Sequence, residues 1–161
     1  MADRVVVILG SGGDEEFAKP IWTTLEKHKV AYSRRVLSAH KRTLELLDML
    51  KKDEESKDNV VYITVAGRSN ALSGVVDSNT RYIVIACPPY SETFSGADIY
   101  SSLRVPSGIG SVVTIEPEGA AIAAAKILAL EDSATAENVK NYQASKKKEL
   151  EKANESVKKL K

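Results

Sequence analysis

The sequence predicts a three-layer α/β/α fold built on a five-stranded parallel sheet, followed by a long C-terminal helix. Apolar runs rich in β-branched residues recur five times along the chain. Stretches of helical length separate the first three runs, so strand and helix alternate as they do in parallel sheets. The first run, Val5–Leu9, reads VVVIL and is apolar throughout, which is typical of a strand buried on both faces.

The five predicted strands are, in chain order, Val5–Leu9, Val30–Leu37, Val60–Val65, Tyr82–Ala86 and Ser111–Ile115. Between them we expect helices at Asp14–Lys29 and Lys41–Lys57, the second with Leu44, Leu47 and Leu50 on one face. This order of elements is that of a flavodoxin-like or Rossmann-like sheet.

A third helix is predicted at Pro117–Leu130, where proline suits the first turn and small or apolar residues surround nearly the whole circumference. Because five strands would leave little core to cover such a helix, we expect a second subunit to pack there. The sequence therefore predicts a homo-oligomer.

The last segment, Ala134–Lys161, combines eight lysines with a thin apolar stripe. The stripe consists of Val139, Tyr142, Leu150, Ala153, Val157 and Leu160. Two interpretations stay open, a solvated helix lying on its own domain and an arm that packs on a neighbouring subunit. We expect one domain over 1–161, with an α/β core at 1–130 and this helix at 134–161.

Composition excludes several classes of protein. The 161 residues suffice for one domain, and 23 basic against 22 acidic residues give a net charge of +1, which disfavours nucleic acid as a partner. No apolar run is long enough to span a bilayer, so no membrane association is expected. The single cysteine, Cys87, fits a reducing compartment, and we expect a cytoplasmic protein.

In open parallel sheets, ligands bind at the carboxyl ends of the strands, so the loops there are the candidate site. The first loop is Gly10-Ser11-Gly12-Gly13-Asp14, between a strand and a helix, where backbone N–H groups suit a phosphate. It lacks the third glycine of a dinucleotide fingerprint and the lysine of a P-loop. A tight turn capped by Asp14 is the alternative.

The second loop, Ser38-Ala39-His40-Lys41, places a hydroxyl, a titratable ring and a cation together. Histidine titrates near neutrality, so His40 is the candidate proton carrier, with a structural or capping role as the alternative. The other histidine, His28, lies among charged residues at a helix end, where we expect it to be solvated.

The third loop, Ala66-Gly67-Arg68-Ser69-Asn70, offers a fixed cation and short polar side chains for a carboxylate or a polar ring. A surface ion pair for Arg68 and a turn at Asn70 are the alternatives. Cys87, at the end of an apolar strand, is interpreted as inert packing.

Taken together, these loops resemble the phosphoribosylaminoimidazole carboxylase family of purine biosynthesis. The resemblance includes the run that begins at Cys87-Pro88-Pro89 and ends at Ser101-Ser102-Leu103-Arg104-Val105-Pro106-Ser107-Gly108. The family contains a bacterial mutase that moves a carboxyl group from a carbamate and a carboxylase that uses carbon dioxide directly. The loop Gly67-Arg68-Ser69-Asn70 resembles the carboxylase, because mutases carry a Gly-Gly-Ala-Ala-His type loop there.

The resemblance implies a role for each loop. Asp14 would bind the ribose hydroxyls, Ser11, Ser38, Lys41 and the Gly12 and Gly13 amides would hold the phosphate, and His40 would move the proton. Residues Ala66, Gly67, Arg68, Ser69 and Asn70 would enclose the aminoimidazole ring and carbon dioxide. No metal, biotin, ATP or other cofactor is implied, and the family suggests a tetramer or octamer.

The chain departs from the family pattern at two places, with Gly13 where a serine or threonine is usual and Arg42-Thr43 where the family has glycine or threonine and then proline. A mutase acting on the carbamate isomer and a non-catalytic nucleotide-binding protein remain the alternative functions.

Overall fold

A computed structural model describes residues 3–56 and 58–159. It contains five strands, β1 at Asp3–Leu9, β2 at Ala31–Val36, β3 at Asn59–Val65, β4 at Val84–Ala86 and β5 at Val112–Val113. Six α-helices accompany them, α1 at Glu15–Lys27, α2 at Thr43–Glu55, α3 at Ala71–Asp77, α4 at Tyr100–Leu103, α5 at Pro117–Leu128 and α6 at Ser133–Lys158. Short 3₁₀ turns lie at Gly12–Asp14, Glu92–Phe94 and Ala97–Ile99.

All strand pairs are parallel, in the order β2-β1-β3-β4-β5, which confirms the predicted sheet. The chain moves outward from β1 to β2 and then returns to the other side of β1 for β3. Ligand crevices form at such a reversal, beyond the carboxyl ends of the two strands. Here those ends are Leu9 and Val65, which are paired in register.

The core lies on both faces of the sheet because alternate residues of β1 point in opposite directions. Val5, Val7 and Leu9 pack with α1, α5 and the start of α6, whereas Val6 and Ile8 pack with α2 and α3. All five side chains are buried, as the uniformly apolar run predicts.

The prediction for the face of α2 is wrong in part. Leu46 and Leu50 are the buried leucines, Leu47 is half-buried, and Leu44 is 75% exposed. At about 100° per residue, Leu44 lies roughly 200° around the helix from Leu46, so the two face opposite ways. The predicted last residue, Lys57, lies outside the described residues.

Helix α5 is covered by its own chain. Its alanines Ala120, Ala121, Ala124 and Ala125 are fully buried and pack with residues of the sheet and of α1. The premise that five strands leave too little core for this helix is therefore wrong. The homo-oligomer stays a prediction without that support.

Helix α6 packs on its own domain only near its beginning, where Thr135 and Val139 are buried. Further along, Leu150 is 72% and Val157 is 65% exposed, and Leu160 lies outside the described residues. Within 3–56 and 58–159, no helix combines the length and the apolar character needed to cross a membrane.

Candidate active site

The loops after β1, β2, β3 and β4 converge on one cleft of about 670 Å³ at the carboxyl edge of the sheet. Ten of the twelve predicted site residues line it: Ser11, Gly13, Asp14, Ser38, His40, Lys41, Ala66, Gly67, Arg68 and Ser69. Gly12 and Asn70 are not among the residues that line the cleft. The topology accounts for this convergence, because parallel strands end at the same edge.

The first loop is held by its own aspartate. One carboxylate oxygen of Asp14, Oδ2, accepts hydrogen bonds from the backbone N–H and the hydroxyl of Ser11, at 2.9 and 3.1 Å. In the described part of the chain, the other oxygen, Oδ1, has no hydrogen-bond partner. Asp14 can therefore fix the turn and still accept a hydrogen bond from a ligand.

The second loop presents His40 and Lys41 on an open turn. The backbone N–H of Arg42 donates to the carbonyl of Ser38 at 2.9 Å, which closes the turn before α2. His40 and Lys41 are both exposed and both line the cleft. Arg42 instead pairs with Glu45, its Nε lying 3.1 Å from Oε1, so its charge is already partnered.

The third loop brings Arg68 to the cleft in a left-handed backbone conformation, with φ of 58°. Asn70 turns away from the cleft and is 5% exposed. Its Oδ1 accepts from the backbone N–H of Ser73 at 3.3 Å, capping α3, and its Nδ2 donates to the hydroxyl of Ser102 at 2.9 Å. Of the two interpretations of Asn70, these bonds favour the turn-forming one.

Residues after β4 complete the cleft, and sequence reasoning missed them as site residues. Pro89, Tyr90, Ser91 and Asp98 line it together with the predicted loops. They reach the cleft through contacts between residues about 30 positions apart in the sequence, such as the hydrogen bond from the Arg68 backbone N–H to Asp98 Oδ2 at 2.9 Å. A carboxylate within a loop at a strand's carboxyl end was the only signal that could have found Asp98.

The remaining histidine and cysteine lie in the core. His28 is fully buried, not solvated as predicted, with Nδ1 2.8 Å from the carbonyl of Thr24 and its ring 4.6 Å from that of Tyr142. Cys87 is buried too, and burial followed by the nearby charge of Glu116 raises the pKa of its thiol to about 12. Both side chains lie outside the set that lines the cleft.

The cleft thus gathers one imidazole, two cationic side chains and a hydroxyl-bearing turn around a single space. Lys41 and Arg68 suit two separate anionic groups, such as a phosphate and a carboxylate. An exposed imidazole in the same cleft can accept a proton and return it. Among the described residues, no three His, Cys, Asp or Glu side chains form a cluster that could hold a metal ion.

Comparison with known proteins agrees with this geometry. The family model described as AIR carboxylase matches residues 4–149. A phosphoribosylaminoimidazole carboxylase of Archaeoglobus fulgidus is 46% identical over 154 residues, covering 96% of this chain and 84% of that protein. One of Treponema denticola is 46% identical over 145 residues, covering 90% and 91%.

Among solved structures, the crystal structure of Treponema denticola PurE superposes with a TM-score of 0.94 at 42% identity, covering 98% of this chain and 99% of that one. Fold and sequence agree along nearly the whole chain. This chain belongs to the AIR carboxylase family.

Proposed function

We propose that this protein carboxylates aminoimidazole ribonucleotide with carbon dioxide, giving the 4-carboxy ribonucleotide of purine biosynthesis. The observation that carries the proposal is the position of His40, exposed in the same cleft as the phosphate-type first loop and the Arg68 loop. The Archaeoglobus and Treponema relatives are phosphoribosylaminoimidazole carboxylases, which supports the reaction class.

The ring carbon of the aminoimidazole is electron-rich because the neighbouring amino group donates into the ring. It attacks carbon dioxide and forms the new carbon–carbon bond, while the electron pair of one C=O bond moves to oxygen. The product of this step carries a hydrogen on a tetrahedral ring carbon. His40 removes that hydrogen as a proton, which restores the aromatic ring.

The other residues bind and orient the reactants. Ser11, Ser38, Lys41 and the amide of Gly13 hold the phosphate, whereas Gly12 lies outside the cleft lining, and Asp14 Oδ1 accepts a hydrogen bond from the ribose. The loop Ala66–Asn70 encloses the ring, with the Arg68 guanidinium beside the forming carboxylate. Asn70 acts indirectly, by capping α3.

The test is a bicarbonate-dependent ultraviolet assay on wild type and His40→Asn. We expect turnover by wild type and a loss of kcat of at least about 100-fold in the variant, the usual effect of removing a general acid or base. His28→Asn is the matched control, since His28 lies away from the cleft, and a melting curve shows whether each variant is folded. Undiminished kcat in His40→Asn would exclude the mechanism.

The same assay separates the alternatives. A mutase would act on the carbamate isomer, supplied alone without added bicarbonate, and would leave aminoimidazole ribonucleotide unchanged. A non-catalytic nucleotide-binding protein would bind aminoimidazole ribonucleotide, seen by calorimetry, without converting it. Either result in place of bicarbonate-dependent turnover would overturn the proposed function.

The proposal extends to a cytoplasmic homo-oligomer, a tetramer or octamer, in which the end of α6 packs on a neighbouring subunit. The exposed Leu150 and Val157 support this arrangement, because the first turns of α6 alone contact the chain's own core. Light scattering on the full chain and on a chain ending at Ser145 tests it. We expect fewer subunits in the shorter chain, and a monomeric full chain would contradict the proposal.

A further inference from the structure

We infer that Asp98 is a positioning residue for catalysis, which holds Arg68 in the left-handed conformation that directs its guanidinium into the cleft. The inference rests on the proposed function, in which that guanidinium stabilises the forming carboxylate. It concerns a residue that neither the motifs nor the family resemblance singled out.

Side-chain hydrogen bonds hold the backbone of Arg68 at both its N–H and its carbonyl. Its φ of 58° lies in a region that residues with a side chain rarely adopt, so the surrounding structure must hold it there. Its N–H donates to Asp98 Oδ2 at 2.9 Å, and its carbonyl accepts from the Ser101 hydroxyl at 2.7 Å. Of these two side chains, only Asp98 accepts the hydrogen bond of the Arg68 N–H.

The segment that carries Asp98 is itself fixed. At Gly96, φ is 76°, a left-handed conformation that favours glycine, and a Cβ there would lie 2.6 Å from the ring of Tyr90. The N–H of Gly96 donates to the carbonyl of Ser91 at 3.0 Å. Asp98 is therefore presented to the Arg68 loop from a turn with a defined path.

The guanidinium of Arg68 remains available for a ligand. Asp98 binds the backbone of Arg68, and no carboxylate in the described part of the chain forms an ion pair with its side chain. Arg68 is exposed and lines the cleft. If the backbone relaxed to negative φ, the Cα–Cβ bond would point elsewhere and carry the guanidinium away from the cleft.

Asp98→Ala removes the acceptor and is the first test. We expect kcat to fall about 10- to 100-fold, the usual effect of a displacement near 1 Å, while KM for the ribonucleotide changes less than about threefold. Asp98→Asn keeps an oxygen acceptor for the Arg68 N–H and should retain kcat within about threefold. A large loss in Asp98→Asn, equal to that in Asp98→Ala, would overturn the positioning role.

A double-mutant cycle with Arg68→Gly separates positioning from direct contact, because Asp98 also lines the cleft. Glycine adopts the conformation freely but carries no guanidinium. In the Arg68→Gly background, Asp98→Ala should lower kcat less than about twofold. A loss there as large as in the wild-type background would show that Asp98 acts on substrate itself, and the inference would fail.

Hydrogen exchange of the Arg68 amide, followed by NMR, tests the contact without any turnover. We expect Asp98→Ala to speed that exchange at least about tenfold and Asp98→Asn to change it little. Inactive wild type would refute the proposed function and leave this readout intact, whereas unchanged exchange in a folded Asp98→Ala would refute the inference. If Asp98→Ala does not fold, Asp98→Ser takes its place with the same expected results, because the serine side chain is too short to reach the Arg68 N–H.

Discussion

Gly10→Ala should disturb the floor of the cleft, where the first and third loops touch. The N–H of Gly10 donates to the carbonyl of Val65 at 2.8 Å, so the loop after β1 begins in direct contact with the end of β3. A Cβ at Gly10 would lie 3.0 Å from Ala66 Cβ and 3.5 Å from the Val65 carbonyl. Two carbon atoms ordinarily approach to about 3.5–4.0 Å, so the two loops must move apart by roughly 0.5–1 Å.

This displacement sets the size of the effect. Overpacking of this kind costs about 1–3 kcal/mol in the free energy of unfolding, because Ala66 Cβ is fixed to the backbone and cannot rotate away. For a domain of this length, that corresponds to a fall in melting temperature of roughly 2–12 °C. Separation of the phosphate loop from the ring-enclosing loop should also lower kcat/KM about 10- to 100-fold.

Gly12→Ala is the matched control, two residues further along the same loop. An added Cβ at Gly12 meets no heavy atom within 4 Å apart from its chain neighbours. We expect its stability to stay within about 1 kcal/mol of wild type, since alanine mainly restricts the unfolded chain. Thermal unfolding by circular dichroism and the ultraviolet assay measure both variants. Equal effects of the two substitutions would refute the reasoning from the close approach.

Three further predictions concern groups outside the cleft. Tyr62→Phe should lower the free energy of unfolding by about 1.5–3 kcal/mol in urea titrations, because the fully buried Tyr62 donates to Asp53 Oδ2 at 2.8 Å, and no loss would contradict this value. Burial raises the pKa of Glu54, but hydrogen bonds from Thr80 and Arg81 outweigh this effect and hold the pKa below 4.5. The stability that these bonds add should be complete above about pH 5 and lost as the pH falls through the lowered pKa. Glu54→Gln should remove that pH dependence from acid titrations of the unfolding free energy. The buried Cys87, with its raised pKa, should resist an aromatic disulfide reagent at pH 8 until urea unfolds the chain, and rapid labelling of the folded protein would contradict its burial.

The strands and long helices could be predicted from sequence because each is specified locally. Val5–Leu9 is apolar in every position, and a parallel strand buried on both faces needs that pattern. Helix α3, Ala71–Asp77, was not predicted, because seven residues with a glycine inside them give too few turns for a helical period to show. Its first turn is capped by the preceding residue, Asn70, and a tertiary contact with Ser102 holds the amide of Asn70 in place.

Local sequence was also enough to predict some residues of the candidate site, but not to predict the burial of His28. Ser11, Asp14, Ser38 and His40 follow predicted strands directly, so the common edge of a parallel sheet was enough to bring them together. His28 was misjudged because its sequence neighbours are charged, whereas its burial depends on Tyr142, more than a hundred residues away on α6. Charge in the neighbouring sequence says little about a side chain that points inward from a helix end.

The order of the strands explains why the cleft needs its fourth loop. The reversal between β2 and β3 opens a crevice beyond Leu9 and Val65, but these two ends supply only its floor. The left-handed turn at Arg68 would be unstable on that floor alone, since a side chain there is strained. The stabilising bonds come from Asp98 and Ser101, in the connection between β4 and β5. Because neither Asp98 nor Ser101 takes part in the pairing of the strands, a substitution at Asp98 should alter catalysis while leaving the sheet intact.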